Sequence, residues 1–187
     1  MTTLSALGFG YCARHLIAHH PGAFSRVVGT ARTAEKVAAL PSGVEGHLFD
    51  GETLTAELAA SLRATEVLIL SAPPDERGDP VLRAAGPVLE EAPLSQIIYL
   101  TTLGVYGDHD GAWVDEETEP HPGSPRLVRR LEAEAGWRAF GARRGVPVAV
   151  LRLAGIYGPG RNALTQLRAG EARPILKAGQ VFNRIHV

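Results

Sequence analysis

The sequence predicts a doubly wound α/β fold, one parallel sheet with helices on both faces, and three observations carry that expectation. Apolar strand-length runs alternate with helix-length segments along all 187 residues, the pattern of repeated strand–helix crossovers. Glu66–Ser71 holds a continuous apolar run, Val67-Leu68-Ile69-Leu70, as a strand buried on both faces requires. The first strand, Leu4–Leu7, runs into a glycine turn that opens a helix.

That turn is Gly8-Phe9-Gly10-Tyr11-Cys12-Ala13, a G-x-G-x-x-A variant of the dinucleotide fingerprint. Gly8 lets the chain turn sharply. Gly10 has no Cβ, so a pyrophosphate can approach the backbone, and Ala13 is small enough for close helix–strand packing. The helix from Arg14 points its free N–H groups and positive dipole end at the phosphates. A plain structural βα turn is the alternative. Cys12 sits at the helix N-terminus, where a thiol pKa is lowered. It reads as a small residue beneath the pyrophosphate.

Pro21-Gly22 breaks the first helix, and Arg26–Arg32 reads as the second strand. Thr30 and Arg32 lie at its end. Binding the ribose 2′-hydroxyl of NAD calls for an Asp or Glu there. Arg32 can instead pair with a 2′-phosphate, which points to NADP, with NAD possible. The alternative is a solvated Arg at the start of a helix over Thr33–Leu40. Val44–Asp50 is a third strand. Asp50 can accept from an adenine amino group or cap the helix Thr53–Arg63.

Ser71-Ala72-Pro73 follows the fourth strand, small and stiff beside a ribose. Val81–Glu91 is a helix interrupted at Gly86-Pro87. Gln96–Thr101 and Pro147–Leu153 are the fifth and sixth strands. Ligands of such sheets sit outside the carboxyl ends of the strands. Gly8, Arg32, Asp50, Ser71, Thr101, Thr102 and Ala154 all fall at or just beyond those ends.

Composition narrows the class. A net charge of −1 lacks the electrostatic footprint of nucleic-acid binding. No run of eighteen apolar residues predicts a membrane span, and no export signal is read at the N-terminus. Cys12 is the one cysteine, so no intramolecular disulfide forms, and a cytoplasmic setting is expected. His15 and His19 have a spacing that can bind metal, but no third ligand is evident; a polar helix face is the expectation, with no metal.

Several motifs carry a family resemblance. Thr101-Thr102-Leu103-Gly104-Val105-Tyr106-Gly107 resembles the S/T-x-x-V-Y-G segment of the extended short-chain dehydrogenase/reductases, the NAD-dependent epimerase/dehydratase group. Asp115–Pro120 resembles the acidic stretch that follows it. Arg152–Arg161 resembles that group's R-x-x-x-x-Y-G-P-G motif, and Ile185-His186-Val187 the start of its I-H-V segment. The match implies a single NAD(P)-binding domain of the Rossmann type over 1–187. It implies a small-molecule substrate, and Thr102 as the hydroxyl beside it. A strand-end Thr bonding local backbone is the alternative.

Two departures stand out. Catalytic members carry a Tyr-x-x-x-Lys pair, in which the Tyr moves a proton and the Lys lowers its pKa and holds the nicotinamide ribose. Aligning K-L-x-x-E on Arg130-Leu131-x-x-Glu134 puts Arg126 at the Tyr position, and no Tyr here has a Lys four residues later. Arg130 can still hold a ribose hydroxyl. Arg126 is too basic to be a general base near neutrality. Tyr106 and Tyr157, each followed by Gly, can replace the missing acid or simply be buried in their turns. The second departure is length. The resemblance implies about a hundred further residues, the scale of a small additional domain. The chain stops inside a motif at His186-Val187 and reads as C-terminally truncated, with the substrate domain missing and little activity expected.

Two function classes follow. One is an NADP-dependent oxidoreductase or epimerase acting on a small carbonyl or nucleotide-sugar substrate near Thr102. The other is a non-catalytic NADP-binding sensor or scaffold. The resemblance implies a possible homodimer, in which the helices Val81–Glu91 and Arg126–Ala142 pack against their copies. Leu127, Leu131, Ala135 and Ala139 form a stripe on the Arg126–Ala142 helix that serves a dimer or faces the protein's own sheet.

Overall fold

Six strands form one parallel sheet in the order β3-β2-β1-β4-β5-β6. They are β1 (Thr3–Leu7), β2 (Arg26–Ala31), β3 (Val44–Leu48), β4 (Val67–Leu70), β5 (Gln96–Thr102) and β6 (Val148–Leu153). The computed structural model describes residues 2–173 and 181–187. Five helices cover the sheet: α1 (Tyr11–His19), α2 (Ala34–Ala38), α3 (Ala56–Leu62), α4 (Pro80–Leu89) and α5 (Pro125–Arg144).

Strand side chains alternate between two cores, as the period of two requires. Leu68, Leu70, Ile97 and Tyr99 pack with Leu58 and Leu62 of α3, Val81 and Leu89 of α4, and Trp137 and Phe140 of α5. Ile69, Ile98 and Leu100 belong to the opposite core with Leu4, Ala6, and Ala13, Leu16 and Ile17 of α1. The chain changes face between β3 and β4. The crevice this opens lies between the carboxyl ends of neighbouring β1 and β4, where Leu7 pairs with Leu70.

Side-chain caps set the helix starts. Thr33 Oγ1 accepts from the Lys36 N–H at 3.3 Å, and Thr55 Oγ1 from the Leu58 N–H at 3.2 Å. Asp79 Oδ1 accepts from Val81 and Leu82, both at 2.9 Å, with Pro80 in the first turn. The helix expected from Thr53 therefore begins at Ala56, and Thr55, not Asp50, caps it. The Asp50 carboxylate instead closes a local turn, accepting from Glu52 and Thr53 at 2.8 and 2.9 Å.

Helix α4 runs unbroken through Gly86-Pro87. Burial of Val81, Ala85 and Leu89 holds it together despite the N–H that Pro87 lacks. Helix α5 continues past Glu134 to Arg144 and ends at Gly145, whose φ of +65° is the left-handed stop. Its sheet-facing residues are Ala133, Trp137 and Phe140. The stripe Leu127, Leu131, Ala135 and Ala139 is a different face, half-buried at the leucines and exposed at the alanines.

Short elements near the carboxyl ends of the strands have no counterpart in the sequence reading. Leu103–Tyr106 is a 3₁₀ turn. Strands β7 (Gly155–Tyr157) and β8 (Arg184–His186) pair in parallel, and α6 spans Ala163–Arg168. Three-residue strands are too short to show a period. No helix among the described residues is long and apolar enough to cross a membrane.

Candidate functional site

The glycine turn is built into the crevice by its neighbours. Gly8 has φ +90°, and a Cβ there would stand 2.7 Å from Ser71 Oγ and 3.0 Å from the Ala72 nitrogen. The Gly8 N–H donates to Thr30 Oγ1 at 2.9 Å, and the Ser71 hydroxyl donates to the Gly8 carbonyl. Ser71 and Ala72 donate their own N–H groups to the Leu7 carbonyl at 3.0 and 3.2 Å. The turn is thus strapped to the ends of β2 and β4.

The turn residues divide by role. Phe9 and Ala13 are buried, and the Phe9 ring fills the space above Gly29, where a Cβ would come within 2.6 Å of it. Thr30 is buried as the strut for Gly8. Gly10 faces open space: among the described residues a Cβ there would meet only the Gly8 carbonyl, at 3.8 Å. Gly10 begins α1 without a side-chain cap, and the first turn carries no acid. Among the described residues nothing caps the first-turn N–H groups of Tyr11, Cys12 and Ala13, which remain donors for a ligand. These features fit a dinucleotide diphosphate.

The Cys12 thiol departs from expectation. Burial pushes its pKa up, and the Arg161 charge and the local backbone N–H only partly oppose that. The half-buried thiol loses more hydration than the neighbouring charge and backbone N–H return.

Around the rim, Arg32 is exposed just past β2 and makes no ion pair among the described residues. Asp50 is exposed but committed to its turn. Pro73 is exposed, Ala72 half-buried, and Ala154 sits half-buried between β6 and β7.

Beyond β5, Thr102 Oγ1 accepts from the Gly104 N–H at 3.2 Å, capping the 3₁₀ turn and leaving its own proton to donate. Thr101 points the other way and is 7% exposed, with no hydrogen-bond partner for its hydroxyl among the described residues. Tyr106 is buried, with the Arg152 guanidinium 4.8 Å above its ring centre. Arg152 is held by the fully buried Glu134, whose Oε2 accepts from Nε at 3.1 Å and Nη2 at 2.8 Å. Tyr106 and Arg152 line an open cleft of about 1360 Å³ with Leu103, Gly104 and the loop 107–116. Tyr157 is 42% exposed and stacks edge-on against His186, its register partner, at 5.2 Å.

Arg126 is exposed on the first turn of α5, so the position of the expected Tyr carries a solvated cation. Arg130 is half-buried near two buried groups, Asp79 at the start of α4 and Tyr99 on β5. Burial raises the Asp79 carboxyl, against the Leu82 and Val81 N–H groups and the Arg130 charge. Burial and the Asp79 charge push Tyr99 up to about 12, again opposed by Arg130.

Sequence reasoning passed over Arg161. Its guanidinium lies 5.4 Å from the centre of the Tyr11 ring. The Tyr11 hydroxyl donates to the Pro159 carbonyl at 2.9 Å. No local signal announces contacts between residues so distant in the chain.

Comparison with known proteins is consistent with this geometry. The profile of the NAD dependent epimerase/dehydratase family matches residues 8–180. A functionally unknown conserved protein from Silicibacter pomeroyi DSS is 43% identical, with a TM-score of 0.82, over 100% of this chain and 64% of its own. A putative NAD-dependent epimerase/dehydratase from Methylobacillus flagellatus is 28% identical, with a TM-score of 0.65, over 99% of this chain and 65% of its own. UDP-glucuronic acid 4-epimerase from Bacillus cereus, in complex with UDP-glucuronic acid and NAD, shares the fold at 24% identity and a TM-score of 0.71, over 99% of this chain and 69% of its own. No match was found among curated proteins.

Proposed function

The chain belongs to the NAD dependent epimerase/dehydratase family, and from that premise we propose that it binds a nicotinamide dinucleotide in the β1–β4 crevice and serves an oxidoreductase or epimerase reaction on a small carbonyl or nucleotide-sugar substrate. The observation that carries this reading is the strapped glycine turn, with Gly10 bare and the α1 N–H groups free. NADP is the favoured cofactor because Arg32 stands unpaired, among the described residues, where a 2′-phosphate would lie.

When bound, the nicotinamide supplies hydride transfer. The residues of the chain do the rest. Gly8, Gly10 and the start of α1 hold the diphosphate. Ser71–Pro73 border the adjoining ribose, and Thr102 donates its free proton to a substrate oxygen. The Tyr–Lys pair is replaced by Arg126 and Arg130, neither of which exchanges a proton near neutrality. Tyr157 is the more accessible phenol and Tyr106 the one beside a cation. This chain spans 64% of the length of the Silicibacter protein.

A second reading is a non-catalytic dinucleotide-binding sensor or scaffold, and the solvated Arg126 at the Tyr position favours it. Calorimetric titration with NADPH and NADH, followed by turnover with a panel of carbonyls, separates the two. Binding with turnover that falls sharply in Thr102→Ala, Tyr106→Phe or Tyr157→Phe supports the enzyme and identifies the hydroxyl. Binding with background turnover supports the sensor. Absence of binding overturns both.

A further inference from the structure

We propose that Arg161 is the second arm of a diphosphate clamp, closing on the bound dinucleotide from the side opposite the glycine turn. The inference rests on the nucleotide-site reading and adds a residue to it. The turn Gly158–Arg161 is closed at both ends: the Gly158 N–H donates to the Arg161 carbonyl at 2.9 Å and the Arg161 N–H to the Gly158 carbonyl at 3.0 Å. Tyr11 fixes this turn over the start of α1 through its 2.9 Å bond to Pro159. A Cβ on Gly158 would come within 2.6 Å of the Tyr11 hydroxyl, so a larger residue there would displace that hydroxyl from its bond.

The Arg161 guanidinium then rests 5.4 Å from the Tyr11 ring centre, beside the first helical turn, and its charge is felt at Cys12. Its side chain is exposed and makes no ion pair among the described residues. The Tyr11 ring face attracts the cation without consuming any of its N–H donors. A planar fork of free donors suits the paired oxygens of a diphosphate. The free N–H groups of α1 supply donors from below. The two cationic residues then divide the ligand. Arg161 reads the diphosphate, present in NAD, NADP and ADP-ribose alike, and Arg32 reads only the 2′-phosphate.

Calorimetric titration of NAD, NADP and ADP-ribose against wild type, Arg161→Ala, Arg161→Lys and Arg32→Ala tests this. Arg161→Ala is expected to weaken all three ligands by a similar factor, about 10- to 100-fold for loss of a charged hydrogen-bond donor. Arg161→Lys recovers part of the loss, and Arg32→Ala weakens NADP alone. The melting temperature of Arg161→Ala should stay within a few degrees of wild type, since the exposed side chain has no ion pair to lose among the described residues and gives up only its contact with the Tyr11 ring. Wild-type affinity in Arg161→Ala, or a loss confined to NADP, overturns the clamp while leaving the nucleotide site standing. Failure of wild type to bind any of the three overturns the nucleotide site and the clamp with it.

Discussion

Gly8 and Ser71 leave each other no room: a Cβ on Gly8 would stand 2.7 Å from Ser71 Oγ, and the Ser71 hydroxyl donates to the Gly8 carbonyl. Two residues far apart in sequence thus lock the turn between β1 and β4. Gly8→Ala adds both a clash and strain at φ +90°. It should destabilise the fold by about 1–3 kcal/mol or more and weaken cofactor binding with it, read by urea denaturation and titration.

Gly10 predicts the opposite outcome in the same turn. Its φ of −96° suits any residue, and a Cβ meets nothing closer than 3.8 Å. Gly10→Val should keep its melting temperature within a few degrees of wild type and lose cofactor binding. Retained binding in a folded variant would place the diphosphate elsewhere.

Arg32→Ala should lower NADP affinity by roughly 10- to 100-fold, the worth of a charge-assisted contact, and leave NAD unchanged. Equal affinity of wild type for the two cofactors would remove the NADP preference.

The pair Glu134–Arg152 links α5 to β6 beneath Tyr106. Glu134 is fully buried, so Glu134→Ala strands the Arg152 guanidinium, whose side chain is 15% exposed. Arg152 keeps contact with the solvent of the cleft, so the cost is that of a polar group left without its partner, about 1–3 kcal/mol. Urea denaturation should show a loss of that order, with Glu134→Gln less affected because it still accepts a hydrogen bond.

Acid stability should depend on Glu45 on β3. Burial raises its pKa, but hydrogen bonds from Ser61, His47 and Arg26 more than offset that and hold the carboxyl at about 2, below its ordinary 4.5. A depressed carboxyl stabilises the fold above its unfolded pKa. That contribution is lost as pH falls from about 4.5 towards 2. Glu45→Gln should therefore show a shallower fall in unfolding free energy across this window than wild type. Identical slopes for the two would exclude the role.

The sequence by itself determined the doubly wound sheet, the place of the glycine turn and the absence of a Tyr-x-x-x-Lys pair. Strand periodicity, the G-x-G-x-x-A spacing and residue identity are local properties, and local properties survive without coordinates. Tertiary structure decided how the turn residues divide. Phe9 stands in the same turn as Gly10, and Thr30 at the end of the neighbouring strand, yet both are buried while Gly10 faces open space. It decided that Thr55 displaces Asp50 as a cap, and that packing carries α4 through Pro87. It alone placed Arg161 over Tyr11 and Arg152 over Tyr106. The second joins β6 to the turn after its neighbour β5, while the first spans from the turn after β1 to the segment beyond β6, with β4 and β5 between them in the sheet. Parallel crossovers bring together residues as far apart as the 148 positions between Tyr11 and Pro159, a distance over which no sequence period reports.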